Sequence, residues 1–119
     1  MRRTLAALTL TLTFTLAALP AFAHSKPKVM VPAANSTVSA PPTVSVIFTE
    51  ALEPKFSSLS LTDEKGAVLS KTPSVVDPAD HTRITLALPL LTPGTYYVHW
   101  VSVAPDGHKM DGDYPFTVK

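Results

Sequence analysis

Proline sets the first limit on this chain. Its 119 residues include 12 prolines and 4 glycines. Proline removes a backbone donor and clashes inside a helix, so the composition argues against long helices and for short extended pieces between turns. Cysteine is absent. No disulfide can staple the fold and no thiolate can enter a site, so a hydrophobic core must hold the chain alone.

The N-terminus reads as a leader. Arg2 and Arg3 precede an apolar, threonine-rich stretch from Leu5 to Leu19, followed by Pro20 and the small-x-small ending Ala21-Phe22-Ala23. That is the pattern of a secretory signal peptide, and the apolar stretch is short for a retained membrane span. The expected division is residues 1–23 as a signal peptide and residues 24–119 as one domain of 96 residues. A chain of that size buries a single modest core. Losing Arg2 and Arg3 leaves eight basic and nine acidic side chains, a formal net charge of −1. No basic patch is apparent, so neither nucleic acid nor stable membrane insertion after cleavage is expected. The expected product is an exported monomer.

Alternation of apolar and polar residues then marks strands. Thr43 to Thr49 is the clearest, with Val44, Val46 and Phe48 on one face. Ser57 to Thr62 alternates serine with Leu59 and Leu61, and Thr82 to Leu88 turns Ile84, Leu86 and Leu88 inward. Thr95 to Val103 is the longest, with Tyr96, Val98 and Trp100 sharing a face, and Tyr114 to Val118 closes the chain. Shorter pieces are expected at Val29–Val31, Ala67–Leu69 and Val75–Val76. Asp63-Glu64-Lys65-Gly66 and Thr92-Pro93-Gly94 supply turns. About seven short strands with frequent turns predict an all-β fold, a Greek-key β-barrel or sandwich of immunoglobulin-like architecture.

The residues that carry chemistry lie at the two ends of that domain. A cut after Ala23 makes His24 the first residue, with a free α-amine beside its own imidazole. Far downstream, Asp106-Gly107-His108 offers a carboxylate and a second imidazole from one loop. Nitrogen donors with one carboxylate suit copper(II), which favours tetragonal N,O coordination and heads the divalent affinity series. The amine must first lose a proton with a reference pKa of about 8, so binding should weaken in acid. Asp106 alone could equally cap a turn, as aspartate does in many loops. Met30 is expected to pack, Met110 to pack or be exposed, and Trp100 to anchor the core. His81 lies in an acid-rich loop read as solvated, and His99 is expected to face solvent or bond across the sheet.

Taken together, these pieces resemble the periplasmic copper-resistance protein C (CopC) family. The matching residues are His24 after the Ala-Phe-Ala ending, Pro32-Ala-Ala-Asn-Ser, Val46-Ile-Phe-Thr-Glu50, Thr92-Pro-Gly-Thr-Tyr96, Val98-His-Trp100 and Ser102-Val-Ala-Pro-Asp106-Gly-His108. Gly112 to Val118 matches the family's closing strand, so the resemblance spans the whole of residues 24–119. It implies a Greek-key β-barrel that binds copper(II) and shuttles or sequesters it outside the cytoplasm. It also implies metal ligands at His24, Asp106 and His108. Glu50 stands where some members place a carboxylate near the metal, to orient a ligand or set the site's charge.

Some members carry a methionine-rich copper(I) site, whereas residues 66–83 here contain no methionine. Because thioethers select copper(I), a copper(II)-only variant is expected. Its partners would be the copper ion, a copper membrane transporter or another exported copper protein, in resistance, storage or delivery. Two other functions compete: a copper-dependent oxidative enzyme built on an N-terminal histidine brace, and a metal-free β-sandwich interaction module. The small domain shows no flat aromatic substrate surface, and Asp106 would fill a position that oxygen chemistry needs open. An enzyme is therefore not expected.

Overall fold

In the computed structural model, residues 24–119 are described; the expected signal peptide lies outside the described residues. Period-two alternation has done what it does physically, turning one face of each strand to a shared core. Eight strands follow in order: β1 (Pro27–Val31), β2 (Thr37–Val38), β3 (Thr43–Phe48), β4 (Ser58–Asp63), β5 (Val75–Val76), β6 (Arg83–Ala87), β7 (Gly94–Val103) and β8 (Lys109–Val118). They form two four-stranded sheets, ordered β1-β3-β6-β5 and β2-β8-β7-β4. All pairings are antiparallel except that of β2 with β8. The sheets remain separate, so of the two expected forms it is the sandwich and not a closed barrel.

The core lies between the sheets. From the first come Val44, Val46 and Phe48 of β3 and Ile84 and Leu86 of β6; from the second, Leu59, Leu61, Val98, Tyr114, Phe116 and Val118. Met30 and Trp100 are half-buried and pack against this cluster, as expected for a gap-filler and an anchor. No helix among the described residues is long and apolar enough to cross a membrane.

Three departures from the sequence expectation have physical causes. The last strand starts at Lys109, well before Tyr114, and pairs with β7 along its whole length from Val103↔Lys109 to Gly94↔Val118. Its first half, Lys-Met-Asp-Gly-Asp, carries too little apolar weight to announce a strand. Gly112 faces inward there because Trp100 occupies the space: a Cβ would meet Trp100 Cζ2 at 2.7 Å. The expected strand at Ala67–Leu69 is reduced to one isolated bridge, Thr62↔Val68. Strand β2 was not expected, since two residues carry no period. Gly66 does take the positive φ its turn was expected to need, +81°.

The sandwich brings three pieces to one end: residues 24–26 leading into β1, Thr49 and Glu50 just past β3, and the loop 104–108 joining β7 to β8.

Candidate metal centre

His24 is placed by its neighbours. Ser25 is buried at 2% exposure, and its carbonyl accepts a 2.7 Å hydrogen bond from the hydroxyl of Ser102 on β7. The Ser25 hydroxyl donates to the Glu50 carbonyl at 3.1 Å. The Thr49 hydroxyl donates to the His24 carbonyl at 3.4 Å and accepts from the Lys26 amide at 3.1 Å. Thr49 N–H completes the ladder by donating to the Lys26 carbonyl at 2.9 Å. The segment before β1 is thus fastened to both sheets, with the His24 side chain exposed at its tip.

The loop 104–108 is closed locally. Gly107 N–H donates to the Ala104 carbonyl at 2.9 Å and Ala104 N–H to the His108 carbonyl at 3.1 Å. Gly107 sits at φ +87°, a conformation that costs glycine nothing. Asp106 Oδ1 accepts from the His108 amide at 3.0 Å, and Oδ2 lies 2.9 Å from His108 Nδ1. The backbone and ring N–H groups of His108, in that order, hold the exposed Asp106 carboxyl below the ordinary carboxylate range. An ionised carboxylate only accepts, so the Asp106 contact is made by a proton on His108 Nδ1. A histidine oriented through one nitrogen by a carboxylate is a recurrent arrangement at metal sites.

The two histidines meet across the molecule. Their ring centroids are 5.7 Å apart and the rings are nearly perpendicular, at 89°. With metal–nitrogen bonds of about 2 Å, two imidazoles on one ion have centroids roughly 4.5 Å apart when cis and about 6.5 Å when trans. The observed separation falls inside that span. Both Asp106 oxygens retain lone pairs after their two hydrogen bonds. Among the described residues, no group of three or more His, Cys, Asp or Glu side chains already stands poised around a metal position. In the 119-residue chain the His24 nitrogen is still an amide, bonded to Ala23, so the amine donor exists only after a cut there.

Glu50 reaches this region through its backbone, by accepting from Ser25. Met110 is half-buried and pairs with Ser102 in the β7–β8 ladder. His99 is apart from the site, on the outer face of β7, with Nδ1 2.9 Å from Asp113 Oδ1 on β8. His81 is exposed in the loop before β6, where Asp80 accepts from the Thr82 amide and hydroxyl. Ser25, Thr49 and Ser102 escaped sequence reasoning. A signal for one was present: Ser102 is a polar residue at an inward position of β7, in step with Tyr96, Val98 and Trp100.

Residues 28–119 match the family model described as the CopC domain. The chain is 38% identical over 110 residues to copper resistance protein C of Xanthomonas campestris pv. juglandis, covering 87% of each. It is 36% identical over 100 residues to protein YobA of Escherichia coli strain K12, covering 82% of this chain and 81% of that one. Among solved structures, CopC from Methylosinus trichosporium OB3b superposes with a TM-score of 0.75 at 32% identity, over 81% of this chain and 94% of that one. PcoC, a methionine-rich copper resistance protein from Escherichia coli, gives 0.66 at 35% identity, over 82% and 100%. With a sandwich fold in common and a family match across nearly all the described residues, the chain belongs to the CopC family.

Proposed function

We propose that this protein is an exported copper(II)-binding protein of copper resistance, storing the ion or delivering it to a copper membrane transporter or another exported copper protein. One copper(II) is bound by the α-amine and imidazole of His24, the imidazole of His108 and the carboxylate of Asp106, once a signal peptide of residues 1–23 has been removed. The observation that carries this reading is the approach of the His24 and His108 rings to 5.7 Å from distant parts of the sequence. The relatives named for copper resistance support the general role. The oxidative-enzyme alternative is set aside, since CopC proteins are copper-resistance proteins and not enzymes.

Selectivity for copper(II) follows from the donors. The described residues hold only Met30 and Met110 as soft ligands, and Met30 is packed against the core. Nitrogen and oxygen donors remain, and these favour copper(II) over copper(I). Glu50 is tied to the same segment through its carbonyl, and its carboxylate is the acidic group assigned to moderate the charge of the loaded site.

The test combines N-terminal sequencing of the exported protein with an electron paramagnetic resonance (EPR) spectrum of its copper form. A chain beginning at His24 should retain about one copper(II) after dialysis, with nitrogen hyperfine structure. His108→Ala should lose it while keeping the fold, because the side chain is exposed. A chain beginning at Ala23 should bind far more weakly. Equal retention by all three would overturn the assignment.

A further inference from the structure

We propose that Ser102 is the positioning residue for the N-terminal ligand, so that its hydroxyl governs how tightly, and in what geometry, the ion is held. The inference rests on the copper(II) reading above and deepens it. Ser102 is 1% exposed and lies on the inward face of β7, where its neighbours in step are apolar. A buried hydroxyl needs a partner, and this one takes the carbonyl of Ser25 at 2.7 Å. Ser25 is the residue directly after His24. Fixing its carbonyl fixes the plane of the Ser25–Lys26 peptide, and the bond from the Ser25 hydroxyl to the Glu50 carbonyl ties the same residue to the first sheet. Ser102 thereby joins the ligand-bearing segment to the strand that runs directly into the loop of Asp106 and His108.

The consequence is preorganisation. A chain terminus is ordinarily among the most poorly ordered parts of a domain. A ligand on a free terminus must lose backbone freedom when metal binds, and that cost weakens affinity. Here the ordering precedes the metal, through a contact made inside the protein. Thr49, which donates to the His24 carbonyl at the longer distance of 3.4 Å, cannot replace it, because it ties the segment only to β3. The position of Ser102 also fixes the register of the chain start. With Ser25 held, only residue 24 can present an amine to the loop, and an added residue carries that amine past it.

The experiment compares Ser102→Ala with the equally shaped pair Ser102→Thr and Ser102→Val, all in chains beginning at His24. Val98→Ala serves as a core truncation on the same strand, away from the segment. Copper(II) affinity is read by competition, site geometry by EPR and stability by urea titration. Loss of the hydroxyl should weaken copper(II) binding about five- to tenfold, the net worth of one hydrogen bond, and should alter the copper hyperfine splitting. Ser102→Thr should restore both affinity and spectrum, whereas Ser102→Val should match Ser102→Ala. Val98→Ala should lower stability and leave the spectrum unchanged.

Wild-type affinity and spectrum in Ser102→Ala and Ser102→Val overturn the positioning role, and leave the copper site standing if His108→Ala has lost its metal. Failure of all the Ser102 variants to fold also overturns it, for the serine would then hold the domain and not the ligand. If the unaltered chain beginning at His24 takes up no copper(II), the site itself falls, a result distinct from either.

Discussion

At the scale of single residues, the proposed centre depends on small polar contacts. Asp106 orients His108 through backbone and ring, and those bonds hold its carboxyl below the ordinary carboxylate range. The sign follows from linkage. The unfolded chain binds the proton more readily, so the contribution of Asp106 to loop order is complete above about pH 3.8 and is lost as pH falls through the lower folded value. In the metal-free protein, the carbon-13 shift of the Asp106 carboxyl should show its own titration step only below that point. Release of copper(II) from the proposed site should come at higher pH, where protons compete with the ion for nitrogen donors. Gly112 shows a different constraint. A methyl group there would stand 2.7 Å from the Trp100 ring, which is itself edge-on to Phe48 at 5.8 Å between centroids. Gly112→Ala should cost about 1–3 kcal/mol by overpacking, measured by urea unfolding.

At the scale of elements, the two sheets divide the labour. Strand β6 is central in the first sheet, and Ile84 and Leu86 are fully buried between the layers. Ile84→Ala should therefore cost about 2–5 kcal/mol. Val75, on the two-residue edge strand β5, is 60% exposed, so Val75→Ala should stay within about 0.5 kcal/mol of wild type. Equal effects from the two would contradict this layering. The strong strands were legible because their alternation places large apolar residues on one face: Val44, Val46 and Phe48 do so without ambiguity. The first half of β8 was not, because its inward positions are Met110 and Gly112, and a glycine under a tryptophan leaves no hydrophobic mark. Ala67–Leu69 failed the other way. It returns toward β4 with apolar residues, yet closes only the bridge at Val68.

At the scale of the whole molecule, the sandwich has no covalent staple, and bound metal stabilises whatever state holds it. A ligand that binds only the folded state adds about 2.7 kcal/mol at one hundred times its Kd. For a domain of this size each kcal/mol raises Tm by about 4–8 °C. Saturating copper(II) should thus raise Tm by ten degrees or more, and EDTA should reverse the rise; an unchanged Tm would argue against binding to the native fold. Trp100 packs beside Phe48, one residue before Thr49, so its fluorescence should fall as copper(II) is added.

The sequence by itself determined the class of structure and the chemistry on offer. Proline count and period-two patterning demand short strands around a core, and a histidine after a cleavage-like ending, with an Asp-Gly-His loop far downstream, offers the donors of the proposed copper(II) site. Both are local properties of the chain. Only the tertiary structure decided that the two ends of the domain meet, because that depends on which strands share a sheet and which loops share an end. It alone revealed Ser102, whose hydroxyl has no purpose visible along the strand until the carbonyl of Ser25 arrives beside it from the far end of the domain.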